Sequence, residues 1–252
     1  DSGDTAWVEN PGYATGRAAL GLAGLRLHPV AVDDEGLAPQ PADWQQHPPR
    51  LIMVTPSHQF PSGRVLSLAR RMALIDGALS SKAWLVEDDY GGEYFTQPPL
   101  PALFGLRPES PVLYVGGFSK TLYPGLRLGY LVVPAPLAER VANIARQATR
   151  HGQGIEQVAL ADFLRRGDYI RHLKRLRALY AERRELLCAS LRPALRKGMA
   201  IEGDAAGLHI VLRLPNNLPD VVVSELAREV GLVCRPLSQF CLAPVRENAL
   251  VL

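Results

Sequence analysis

The chain has 252 residues, 47% of them apolar, with a formal net charge of +3 at neutral pH. That length supports one large domain, or a large and a small one, and the apolar fraction is that of an ordinary globular core. A charge so near balance argues against nucleic-acid binding by these residues, and no apolar run approaches the ~20 residues that cross a bilayer.

Three cysteines, Cys188, Cys234 and Cys241, are widely spaced and make no metal-ligand pattern. Residues 1–4 lack the basic-then-apolar layout of a leader, so a reducing cytoplasm is the expected location.

In chain order, short apolar runs alternate with helical stretches. Residues 6–8 read as a strand, 15–23 as a helix stopped by Gly24, and 27–32 as a second strand. Residues 51–54 form a buried-type strand, and 65–80 carry helical apolar spacing at Leu66, Leu68, Met72, Leu74 and Ile75. A strand at 83–86 runs into Glu87-Asp88-Asp89-Tyr90, and strands at 112–115 and 128–133 follow, the first after a helix-free connection. Strands separated by helices predict an α/β fold with a mixed sheet, whose ligands sit beyond the carboxyl ends of the strands.

After Pro134 the character changes. A helix is expected at 137–149 and a longer helical pattern over 156–191, broken at Gly167. Ile170, Leu173, Leu176, Leu179 and Tyr180 make its apolar stripe. Arg171, Lys174, Arg175, Arg177, Arg183 and Arg184 on the other face are either a phosphate-contacting surface or the solvated side of an amphipathic helix. Strands at 208–212, 232–234 and 249–252, with a helix at 219–230, predict a smaller α+β domain that looks cut short. The expected division is a large α/β domain over 1–150, interdomain helices over 151–192 and a small domain over 193–252.

Chemistry concentrates in a few segments. The chain has only four lysines, and Lys120 lies in a glycine-flanked loop, Gly116-Gly117-Phe118-Ser119-Lys120, seven residues before Arg127. Lysine, unlike arginine, can lose its proton and attack a carbonyl, so Lys120 is a candidate Schiff-base former, with Arg127 placed to hold an anion. The alternative is a solvated lysine at a tight turn. A carboxylate of the strand-end cluster Glu87-Asp88-Asp89 can pair with a protonated pyridine nitrogen, and a tyrosine two residues on, here Tyr90, projects to the same side. Equally, such acids can be solvated or cap a turn. The loop Thr55-Pro56-Ser57-His58-Gln59-Phe60-Pro61-Ser62-Gly63 either lines a pocket or merely connects a strand to a helix. Tyr13, in Glu9-Asn10-Pro11-Gly12-Tyr13, can stack on a flat ring or pack at a turn.

Together these segments resemble fold-type I pyridoxal-phosphate proteins, and the His58-Gln59-Phe60-Pro61-Ser62-Gly63 form resembles the MocR subgroup of GntR-type bacterial transcription regulators. Residues 167–177 with Tyr180, Arg183 and Arg184 also resemble that subgroup's interdomain helix. The resemblance implies pyridoxal 5'-phosphate joined to Lys120 as a Schiff base. It further implies Asp88 on the pyridine nitrogen, Tyr90 on the ring oxygen and Tyr13 on the ring face, with Ser119 and Arg127 on the phosphate and His58 beside them. Arg246 or Arg235 would take a substrate carboxylate. Gly117 stands where relatives often carry a serine or threonine, and the chain is expected to start after the glycine-rich phosphate cradle and without the winged-helix DNA reader. The implied function is an effector-sensing domain for an amine or amino acid, working as a homodimer. A working aminotransferase and a cofactor-free scaffold are the competing readings.

Overall fold

The computed structural model describes residues 1–94, 100–149, 152–203, 207–245 and 247–252. The first half runs β1 (Thr5–Asn10), α1 (Ala14–Leu22), β2 (Arg26–Asp33), β3 (Gly36–Leu37), α2 (Pro41–Gln46), β4 (Leu51–Val54), α3 (Leu68–Ser81), β5 (Trp84–Asp89), α4 (Leu103–Leu106), β6 (Val112–Gly117) and β7 (Gly129–Val132). These seven strands form one sheet in the order β3-β2-β1-β4-β5-β6-β7. Its central pairings are parallel and its two edge strands are antiparallel, the mixed sheet that alternating strands and helices predict. Trp7, Ile52, Val54 and Leu85 from the strands pack on Leu74, Ile75 and Ala78 of α3 in one buried core.

Helix α3 starts three residues later than expected because Ser67 caps it, its hydroxyl accepting the Arg70 N–H at 3.2 Å. The connection from β5 to β6 is not helix-free as expected: it contains the single turn α4, whose first amides are satisfied by Glu87 rather than by a local cap.

The second half carries α5 (Ala135–Thr149), α6 (Gly154–Arg165) and α7 (Asp168–Leu191). The expected break at Gly167 is a left-handed residue, φ 72°, that a side chain would strain. Then come β8 (Ala200–Glu202), β9 (Val211–Arg213), α8 (Asp220–Glu229), β10 (Arg235–Pro236) and β11 (Ala249–Val251), with a second, antiparallel sheet ordered β10-β11-β9-β8. Two expected strands shift: 208–212 becomes β9, and 232–234 gives way to β10 just beyond it. No helix among the described residues is long and apolar enough to cross a membrane.

The second sheet is docked on the carboxyl edge of the first. Asn10 Oδ1 accepts the N–H groups of Leu242 and Ala243 at 2.6 and 3.2 Å, and its amide donates to the Ala243 carbonyl at 3.0 Å. Gly12 N–H and Arg17 Nη1 both donate to the Phe240 carbonyl. Arg64 bridges Asp34 and Glu247 at 3.2 and 3.0 Å.

Candidate functional site

Side chains alternate along β5, so Glu87 and Asp89 face one side of the sheet and Asp88, with Tyr90 after it, the other. The two sides differ in what they touch. Glu87 is fully buried, accepts the amides of Leu103 and Phe104 at 3.0 Å, and lies 3.8 Å from Arg71. Asp89 accepts from Tyr114 Oη and Gly92 N at 2.8 and 2.9 Å. Asp88 has no hydrogen-bond partner among the described residues, and burial, then the Asp89 charge, pushes its carboxyl up to about 6. The hydroxyl of Tyr90 is buried and also without a partner among the described residues, and burial pushes its pKa well above the ordinary phenol value. Two polar groups on one strand face thus stand ready for one flat ligand, a carboxylate acceptor beside a hydroxyl donor.

Beside them, at the end of β1, Glu9 is almost completely buried. It accepts from Thr55 Oγ1 at 2.6 Å, Thr55 N at 3.1 Å and Gln59 Nε2 at 3.1 Å. Burial outweighs those bonds and pushes Glu9 up to about 7, with Asp88 adding to the rise. Gln59 fixes the loop after β4. Its amide also donates to the Pro11 and Phe60 carbonyls at 2.9 and 2.7 Å, and its oxygen accepts from Ser62 N and Oγ at 3.0 and 2.6 Å.

That loop presents Phe60, whose ring stands edge-on to Tyr13 and Tyr90, each at a centroid distance of 6.2 Å, and to Phe240 at 5.0 Å. His58 lies 6.4 Å from Tyr90 but nearer the second sheet, 4.7 Å from His209. Gly207, at φ +90°, approaches so closely that a Cβ there would sit 2.3 Å from His58 Nε2. Burial, then the charges of His209 and Arg184, pushes His58 down to about 3, so its imidazole is neutral at physiological pH.

Lys120 lies three residues beyond β6, the strand next to β5, on a turn closed by the Leu122 amide donating to the Phe118 carbonyl at 2.8 Å. Ser119 is half-buried and Arg127 is exposed, as is Lys120 itself. Its charge reaches the aromatic group: His209 is pushed down chiefly by burial, with Lys120 adding to the effect. Arg127 sits in a left-handed conformation, φ 52°, two residues before β7. At Gly117 an added Cβ would meet nothing nearer than the Leu128 carbonyl oxygen at 3.8 Å, so packing leaves room there for a serine or threonine. Arg235 is an exposed residue of β10, and Arg246 lies outside the described residues.

Of the predicted residues, Tyr13 and Tyr90 therefore stand around Phe60 at the carboxyl edge, His58 lies near Tyr90, and Asp88 is two residues before Tyr90 at the end of β5, with Ser119, Lys120 and Arg127 on the turn after the neighbouring strand. Glu9 and His209 escape sequence reasoning because their burial depends on partners tens to hundreds of residues away. The one local signal was Glu9's place at a strand end, beside Asn10.

The chain matches the family model for aminotransferase class I and II over residues 1–248. It belongs to that family. Its curated relatives include the probable rhizopine catabolism regulatory protein MocR of Rhizobium meliloti, 38% identical over 253 residues, covering all of this chain and 51% of the relative. The HTH-type transcriptional regulator TauR of Rhodobacter capsulatus is 36% identical over 251 residues, covering 98% of this chain and 50% of its own length. The chain spans about half the length of these regulators. Among solved structures, the alpha-aminoadipate aminotransferase LysN of Thermus thermophilus, complexed with N-(5'-phosphopyridoxyl)-L-leucine, superposes with a TM-score of 0.87 at 28% identity, over all of this chain and 66% of that one. The fold is that of the fold-type I aminotransferases.

Proposed function

We propose that this chain is the pyridoxal-phosphate-binding, aminotransferase-like effector-sensing part of a MocR-type transcriptional regulator. One observation carries the reading: Asp88 and Tyr90 share a face of β5, each lacking a hydrogen-bond partner among the described residues, while Lys120 follows the adjacent strand. The choice of a regulator is supported by 38% identity to MocR across the whole chain.

Pyridoxal phosphate suits these groups, since its ring nitrogen, phenolic oxygen and aldehyde are the counterparts of a carboxylate, a hydroxyl and an amine. When bound, the cofactor supplies an aldehyde for amines and an electron-poor ring that draws charge from the α-carbon. Asp88 holds a proton between its carboxylate and the ring nitrogen, and the cation it gains offsets the burial that raises its own pKa. Tyr90 donates to the phenolic oxygen, Tyr13 covers a ring face, and Ser119 and Arg127 take the phosphate. Neutral His58 contributes a ring and no charge to that surface, and Arg246 is the candidate for an effector carboxylate. Large, interdomain and small units over 1–150, 151–192 and 193–252, a homodimer, a cytoplasmic location and DNA contact through a winged-helix domain complete the proposal.

A free-standing aminotransferase is the second reading, favoured by the joint presence of Lys120, Asp88 and Tyr90 and by the likeness to LysN. Single-turnover mixing of the cofactor-loaded chain with amino acids separates the two. The sensor reading expects a spectral change on binding without accumulation of keto acid. Pyridoxamine phosphate and keto acid appearing at useful rates would establish the enzyme instead, and no visible band even with added pyridoxal phosphate would sink both.

A further inference from the structure

The Lys120 turn is gripped from behind by an element with no assigned part in the chemistry. Thr121, the residue after the lysine, is fully buried. Its hydroxyl accepts from Tyr169 Oη at 3.1 Å, and its carbonyl accepts from His172 Nε2 at 2.8 Å, which fixes the proton on that ring nitrogen. Both residues stand on the first turns of α7. Tyr94 Oη donates to the carbonyl of Lys120 itself, and the Tyr94 ring stands edge-on to Tyr180, also of α7, at 5.4 Å. Arg177 of the same helix donates to the Glu93 carbonyl, and Tyr169 packs against Phe118 at 5.8 Å. The groups gripping the turn thus come from α7 or from a residue that α7 holds.

We propose that Tyr169 and His172 are positioning residues that fix the Lys120 turn, so that a shift of α7 moves the reactive amine. The helix is 24 residues long, about 36 Å at the usual rise, and leads through residues 192–194 toward β8 of the second sheet. A displacement of that sheet therefore reaches the lysine turn through residues 195–199 and the helix. The claim that the moved amine is the reactive one rests on the cofactor reading above.

The test uses Tyr169→Phe and Thr121→Val, which remove one hydroxyl each, their double variant, and Thr121→Ser as the rescue. The first readout is amide hydrogen exchange at Leu122 in the unloaded chain. Each single variant should exchange roughly 3- to 10-fold faster, the ratio for one lost net hydrogen bond, with the double no worse than either single and Thr121→Ser near the parent. The second is the pH midpoint of the visible band after pyridoxal phosphate is added, which should move in the variants and return with Thr121→Ser. Unchanged exchange overturns the clamp. Faster exchange with an unmoved midpoint overturns the link to the amine. A parent chain that shows no band refutes the cofactor reading and with it the link to chemistry, while the exchange readout still decides the clamp.

Discussion

Two carboxyls on the carboxyl edge, Glu9 buried and Asp88 half-buried, oppose the fold as the pH rises. Glu9 is raised from 4.5 to about 7 and Asp88 from 3.8 to about 6, both chiefly by burial. A raised native value means that the folded chain holds a proton which the unfolded chain has already released. Stability is therefore full below the unfolded values and is lost as pH climbs through the native ones, between about 4 and about 7. We expect urea unfolding near pH 5 to show a more stable chain than near pH 8, by on the order of 2 kcal/mol for Glu9 alone. Glu9→Gln should flatten that dependence, and a slope equal to the parent's would show that Glu9 is not the titrating group. At this scale the sequence was partly legible. Strand alternation separates Asp88 and Tyr90 from Glu87 and Asp89, but which pair is free depends on Leu103, Phe104 and Tyr114, all distant in sequence.

Among the elements, α3 and β5 are tied by Arg71, which is 1% exposed. Its Nε, Nη1 and Nη2 donate to the carbonyls of Leu66, Pro101 and Pro56, each at 3.0 Å, and its charge faces Glu87. The guanidinium thus braces the segments on either side of the site loop. Arg71→Met should cost roughly 3 kcal/mol or more, because it strands a buried carboxylate together with three carbonyls. Adding Glu87→Gln should recover part of that loss, and simple additivity in urea melts would contradict the pairing. Helix α3 was visible in its apolar spacing, yet its start is set by the Ser67 cap. The turn α4 left no periodic trace because four residues are too few to carry one, and its amides are satisfied by Glu87 from another element.

For the whole molecule, the long strands and helices of the first half were readable from periodicity. The second sheet was blurred because strands of two and three residues carry no alternation to count. Its place over the site was not legible at all, since Asn10, Gly12 and Arg17 reach more than two hundred residues along the chain to hold it there. That docking buries His58, half-buries His209 beside it and brings the Phe240 ring against Phe60. The most direct test is borohydride reduction of the chain with pyridoxal phosphate, followed by peptide mapping and mass analysis. A single phosphopyridoxyl adduct on the peptide holding Lys120, lost in a folded Lys120→Ala variant, is the predicted result. An adduct that persists in that variant, or that maps to Lys82, Lys174 or Lys197, would contradict the assignment.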